Sequence, residues 1–159
     1  MFFKNIYKAQ WLSTGISKSG VESLLYRYRY PNDVDATIAY VSPINREVKD
    51  PRLNSFFNSQ VDQDIQQKIE TFQRQLLVNK EKIFPLFLAY KADKYTYQKL
   101  TANLAYDYNV LDLMFSFWQM GGKVEMLPKS NATIEELFES FKKVQSFYWF
   151  TDDGVKAYE

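Results

Sequence analysis

Along the first third of the chain, apolar and polar positions exchange in steps of two. Tyr26-Arg27-Tyr28-Arg29-Tyr30 alternates strictly before Pro31-Asn32-Asp33, and residues 36–41 are rich in β-branched and aromatic side chains before Ser42-Pro43. Period-two alternation bounded by turn formers predicts strands, so this stretch reads as a meander with its turn near residues 31–35. Residues 4–12 form a further candidate strand of the same sheet, and Gly15, Gly20 and the serines between them read as a loop.

From Val61 the period lengthens. Val61, Ile65, Ile69, Phe72 and Leu76 recur at steps of four, four, three and four, which places them on one face of a helix. Ser59 is positioned to cap its start, Asp62 and Asp64 complement the positive end of its dipole, and Lys80 and Lys82 follow its negative end. Pro85 is expected to break the pattern, leaving residues 86–90 as a buried strand or the start of another helix. A second helical series runs through Leu100, Leu104, Tyr108, Leu111, Phe115 and Trp118, kinked or divided near Asn109, and stops at Gly121-Gly122. Residues 123–127 alternate as a short strand. Thr133 and Glu136 form a capping box, since each side chain can satisfy a free backbone N–H of the other residue, and a helix follows from Ile134 to about Val144. In the tail, Asp153-Gly154 between two strand-like runs predicts a hairpin over residues 147–158, with a helix continuing through Trp149 as the alternative. The architecture expected from these elements is α+β. It is a single domain over residues 1–159, with an antiparallel sheet built from N- and C-terminal strands against three or more helices.

Composition narrows the chemistry. The chain has no histidine and no cysteine, while Phe, Tyr and Trp make up 18% of its 159 residues. Structural zinc, haem with its common axial ligands and thiol redox chemistry therefore lose their usual ligands, and no cofactor or metal is implied. A serine nucleophile would need lysine as its base, and no Ser–Lys pair stands out. No glycine-rich phosphate cradle is evident, because Gly121-Gly122 follows a helix instead of preceding one. With 20 Lys and Arg against 19 Asp and Glu, no overall field advertises a polyanionic partner. The longest apolar run, residues 83–90, is far short of the roughly 20 residues of a membrane span. Without cysteine the compartment cannot be read from disulfide pairing, and because the first residues lack an apolar leader pattern the expected setting is cytoplasmic.

Several constellations could still carry function. Tyr26, Tyr28 and Tyr30 on one strand face, with Arg27 and Arg29 on the other, would suit base stacking and phosphate contact, as would Lys91, Lys94 and Lys99 among Tyr95 and Tyr97. Core packing and solvated charge explain the same residues. Asp33 or Asp35 followed by Glu47-Val48-Lys49 loosely matches the carboxylate and lysine set of a metal-dependent nuclease, although turn and loop charges account for it. Phe56-Phe57, flanked by Asn and Ser, reads as a polar loop in which one ring faces outward. With Tyr26, Tyr28, Tyr30, Tyr148 and Trp149 it forms a candidate protein-binding set. The expected function is a non-catalytic intracellular binding protein or subunit with a protein partner; the alternative is a nucleic-acid-binding protein, with or without nuclease activity.

Overall fold

Nineteen residues separate the two strands of the chain, enough for a helical crossover, and a crossover makes paired strands parallel instead of antiparallel. The structure, a computed structural model, describes residues 2–157, excluding the side chains of residues 2, 3 and 57. It divides into two compact units, Met1–Ser55 and Phe56–Glu159. The expected antiparallel sheet from the two chain ends is therefore replaced by a mostly helical protein with one two-stranded parallel sheet among its described residues.

The first unit holds α1 (Phe2–Ile6), β1 (Leu12–Ile16), α2 (Lys18–Arg29) and β2 (Ala36–Tyr40). Register runs from Leu12 opposite Ala36 to Ile16 opposite Tyr40, and the Ser13 and Thr37 hydroxyls meet at 2.7 Å across the pair. One sheet face leaves Leu12, Ile16, Ile38 and Tyr40 exposed. The strand expected at residues 36–41 is present, but the Tyr-Arg alternation lies on α2. Gly20, Leu24 and Arg27, at i, i+4 and i+7, are the positions α2 turns inward, a helical period concealed beneath the alternating aromatics. Tyr26 and Tyr30, four residues apart, bring their rings to 5.1 Å, and Arg27 and Arg29 fall in the last helical turn, where the dipole favours cations.

A polar knot closes residues 41–50. The Asp50 carboxylate accepts from the Arg46 N–H at 3.1 Å, the Arg52 N–H at 3.1 Å and the Arg52 guanidinium Nε at 2.9 Å. These bonds hold its carboxyl far below the usual carboxylate range. Pro51 then opens α3 (Pro51–Gln60), where a missing N–H costs nothing, and the division between the units falls within this helix.

The second unit packs α4 (Gln63–Val78), α5 (Lys80–Ala89), α6 (Ala102–Leu111), α7 (Leu113–Gln119) and α8 (Ile134–Val144) around one core, with the short α9 (Asp152–Lys156) near its end. Ile69, Phe72 and Leu76 of α4 are buried as the spacing predicts, but Asp62, not Ser59, caps the helix by accepting from the Asp64 and Ile65 N–H groups. Helix α5 runs through Pro85, so the expected break is absent; it loses only the bond that residue 85 would donate to the Glu81 carbonyl. Phe87 meets Tyr106 at 5.4 Å and Phe147 at 5.2 Å, and Phe147 meets Phe141 at 4.7 Å, all edge to face. The Tyr106 hydroxyl donates to the Leu76 carbonyl at 2.9 Å, and burial pushes its pKa upward.

The helical series after residue 100 is found, but with its faces exchanged. Leu104, Tyr108, Leu111, Phe115 and Trp118 are the exposed side, while Ala105, Tyr106, Val110, Leu113 and Phe117 face the core. Helices α6 and α7 are apolar nearly all round, so the sequence offers two stripes and only packing chooses between them. Their division falls at Asp112, whose carboxylate lies 2.6 Å from Ser116 Oγ and accepts from Gln145 Nε2 at 3.1 Å. Both bonds of the Thr133–Glu136 capping box are present on α8. Residues 123–127 hold a 3-10 turn instead of a strand, and the tail is a 3-10 turn followed by α9 instead of a hairpin, capped when Thr151 Oγ1 accepts from the Gly154 N–H at 3.2 Å. Tyr158, the end of that expected hairpin, lies outside the described residues.

Candidate active site

Strand β1 ends at Ile16 and α2 begins at Lys18, so one residue, Ser17, carries the whole reversal from strand to helix. It does so at φ 56° and ψ −122°, the conformation of the first central residue of a type II′ turn, which glycine normally occupies. A non-glycine residue here stores about 1–3 kcal/mol of strain, the kind that concentrates at functional sites. Its side chain is exposed and caps no N–H of its own helix, although serine at a helix start ordinarily does so.

Backbone bonds fix this position from both sides. The Ser17 N–H donates to the Tyr40 carbonyl at 3.0 Å, continuing the β1–β2 ladder one residue past its end. The Ser17 carbonyl accepts from the Gly20 N–H at 3.0 Å and the Val21 N–H at 3.2 Å, starting α2. Two glycines make the tight turn possible. A Cβ at Gly15 would overlap the Ser19 carbonyl and approach the Gly20 nitrogen to 2.6 Å, and a Cβ at Gly20 would overlap Ser42 Oγ and lie 3.0 Å from the Gly15 carbonyl oxygen. The strand and the first helical turn therefore touch backbone to backbone.

This set escapes a reading by residue type because histidine, the marker usually sought beside a nucleophilic serine, does not occur in the chain. The available signal is Gly15-Ile16-Ser17-Lys18-Ser19-Gly20, with glycine two before the serine and three after it. It departs from G-x-S-x-G, where the second glycine is two after the serine; Ser19 stands there, and Gly20 provides the close approach instead.

The candidates singled out from sequence are not assembled at this site. Tyr26 donates to Asp33 Oδ2 at 2.7 Å, a bond that holds the Asp33 carboxyl below its usual range and raises the tyrosine. Asp35 accepts from the Trp11 N–H at 2.6 Å, while Glu47 and Lys49 are exposed in residues 41–50 and lie on no strand. Among the described residues no group of three acidic side chains is placed to hold a metal ion. Tyr28 is exposed on α2, pointing away from the Tyr26–Tyr30 pair. Phe56 is exposed but helical, on α3 instead of in a polar loop, and the Phe57 side chain lies outside the described set. Tyr148 and Trp149 form a 3-10 turn with rings 5.4 Å apart. In the second unit, the Lys91 ammonium lies 5.1 Å over the Tyr90 ring and 5.3 Å over the Tyr95 ring. The Lys94 N–H donates to the Lys91 carbonyl, and the Lys99 N–H donates to Asp152. Arg27 and Arg29 belong to the first unit.

A strained serine between a parallel strand and the helix that crosses to its neighbour is the nucleophile-elbow arrangement of serine hydrolases built on α/β sheets. The sequence model of the PS-10 peptidase S37 family matches residues 1–159, and the chain belongs to this family. It is 31% identical over 160 residues to the prolyl tri/tetrapeptidyl aminopeptidase of Streptomyces mobaraensis, covering 98% of this chain and 34% of that enzyme, so it spans about a third of the relative's length. No solved structure matches. Membership in a peptidase family overturns the expectation of a non-catalytic binding protein or complex subunit, and with it the protein and nucleic-acid partners inferred from the aromatic and basic residues. Among the described residues no helix is long and apolar enough to cross a membrane.

Proposed function

We propose that this chain carries the nucleophile of a serine peptidase and that Ser17 is that nucleophile. The observation behind the reading is the Ser17 backbone, held at φ 56° with an exposed side chain at the carboxyl end of a parallel strand. Open parallel sheets bind ligands at that end. In the proposed reaction a base takes the Oγ proton as Oγ bonds the scissile carbonyl carbon. The tetrahedral oxyanion then collapses, the C–N bond breaks, and the leaving amine takes the proton. The resulting Ser17 ester is hydrolysed by water, which restores the hydroxyl and releases a carboxylate. The N–H of the residue after an elbow nucleophile is one of the two oxyanion donors; here that residue is Lys18, first in the 12-residue α2, where the helix dipole also favours developing negative charge.

These 159 residues hold no histidine, and the Lys18 ammonium, 3.6 Å from Glu22, is ion-paired along its own helix. In this reading a histidine base, the usual partner of such a serine, would come from outside these 159 positions. The substrates proposed are peptides from whose amino terminus a proline-containing tri- or tetrapeptide is released, by similarity to the Streptomyces relative. The test is labelling of the natural protein that carries this chain with a fluorophosphonate, in which Oγ displaces fluoride from phosphorus, followed by peptide mapping. A single adduct on Ser17, lost in Ser17→Ala together with peptide cleavage, is expected. An adduct on another residue, or cleavage that survives Ser17→Ala, refutes the assignment.

A further inference from the structure

Ser17 is not alone in its strain. Across the sheet, Val41 follows Tyr40, the last residue of β2, and has φ 42°. A β-branched residue at positive φ is an outlier, because its branched Cβ crowds the backbone most in that region. The two strained residues are neighbours. Ile16 pairs with Tyr40, the Ser17 N–H donates to the Tyr40 carbonyl at 3.0 Å, and Val41 comes next on β2 as Ser17 does on β1. Val41 is bonded through its nitrogen to the very carbonyl that the Ser17 N–H binds, so the backbones of the two strained residues lie side by side at the carboxyl end of the sheet.

The conformation is held by Ser42. Its hydroxyl donates to the same Tyr40 carbonyl at 3.2 Å and fills the space beside Gly20 that a Cβ there would need. Turning the chain at Val41 is thus what lets Ser42 reach the first turn of α2. Glycine or asparagine at position 41 would make the same turn with less strain, so the turn alone does not account for valine. Internal packing does not account for it either, since Val41 is 81% exposed. Val41 is thus an apolar, backbone-strained residue that this chain leaves uncovered, bonded to the carbonyl that Ser17 binds and followed by the exposed Pro43 and Ile44.

Resting on the reading of Ser17 as nucleophile, we propose that Val41 is a specificity-determining residue. Its side chain packs against the apolar side chain of the substrate residue whose carbonyl Ser17 attacks. Fixing the rotamer-poor valine in advance removes an ordering cost from binding, which is how a strained position benefits a site. Losing a contact of this size changes discrimination by about tenfold or more.

The test uses the natural protein at full length with Val41→Asn, which tolerates the left-handed conformation, and Val41→Ala, which keeps the strain but removes the contact. Tripeptide 4-nitroanilides ending in proline or in glycine are the substrates. Both variants are expected to lower kcat/KM for the proline substrate about tenfold, chiefly through KM, and to lower it much less for glycine. Hydrogen exchange in β2 is expected to be no faster in Val41→Asn. Equal losses on both substrates, or no loss on either, overturn the proposal while the Ser17 adduct in the wild type stands. A wild type without that adduct refutes the nucleophile reading itself, and the proposal falls with it.

Discussion

Replacing Ser17 by glycine should make the first unit more stable while abolishing its chemistry, and the expected size can be worked from the backbone. At φ 56° and ψ −122° a residue with a Cβ costs about 1–3 kcal/mol. Glycine removes that cost but surrenders about 0.5–1 kcal/mol of backbone entropy in the unfolded state. The exposed hydroxyl caps no helix N–H, so deleting it forfeits no cap. The net gain is about 0–2.5 kcal/mol. Hydrogen exchange is the suitable assay, because the Ser17 N–H is donated to Tyr40 and the β1–β2 ladder flanks it, so opening of this unit is read directly. Amides of β1 and β2 should be protected up to about seventyfold more in Ser17→Gly than in the wild type. Ser17→Ala keeps the Cβ and should show no such gain, while both variants lose the fluorophosphonate adduct. Faster exchange in Ser17→Gly than in Ser17→Ala would show that the elbow is not strained, and the argument for a preorganised nucleophile would fail.

Four further outcomes are expected. Phe87→Ala removes a fully buried ring that touches Tyr106 and Phe147 and should cost about 3–5 kcal/mol in urea denaturation of the second unit; a loss below about 1 kcal/mol would mean the core repacks around the gap. Thr133→Ala breaks the capping box and should cost about 1 kcal/mol, seen as selective fraying of the first turn of α8 by hydrogen exchange. The Tyr97 hydroxyl is buried without a hydrogen-bond partner, and burial pushes its pKa up to about 12. Because the folded value lies above the unfolded one near 10, its contribution is complete below pH 10 and declines as pH rises toward 12; Tyr97→Phe should be no less stable at pH 8 and should lessen that alkaline loss. Asp152 accepts from the Gln98 and Lys99 N–H groups, which lower its pKa, so its contribution is present above the unfolded value near 4 and lost as pH falls below it. Thermal melts of Asp152→Asn should therefore approach those of the wild type in acid, and a constant gap across pH would contradict this.

What the sequence made legible follows from the range of the interactions involved. The Thr133–Glu136 box and α8 were readable because a cap is decided within four residues, and β2 because its β-branched run has no competing helical stripe. Helix α4 was readable because its apolar residues form a single face. The Tyr-Arg segment reads as a strand because aromatic alternation outweighs a helical set whose inward positions are a glycine, a leucine and an arginine, residues that do not mark an apolar stripe. The α6–α7 stripe was found with the wrong face inward, because two apolar stripes are equivalent until α4 and α8 pack against one of them. The parallel pairing of β1 and β2 is a property of the 19-residue connection, not of either strand. Ser17 is distinguished by a pair of backbone dihedrals, to which the sequence points only through the glycines at 15 and 20 around it, a spacing that departs from G-x-S-x-G.

The absence of histidine bears on this chain differently under the proposal that Ser17 is a nucleophile. A missing residue type excludes a chemistry only if every participating group must come from the same stretch of sequence, and a catalytic serine does not require that. Its readiness resides in the ladder bond to Tyr40, the close glycines at 15 and 20 and the start of α2, all within residues 15–40. A base and its orienting carboxylate act through space and can arrive from any chain segment that reaches the carboxyl edge of the sheet. Under the proposed reading of Ser17, that separation reconciles 159 residues without histidine with membership in a peptidase family. A base that serves Ser17 has to come within hydrogen-bond reach of its exposed Oγ.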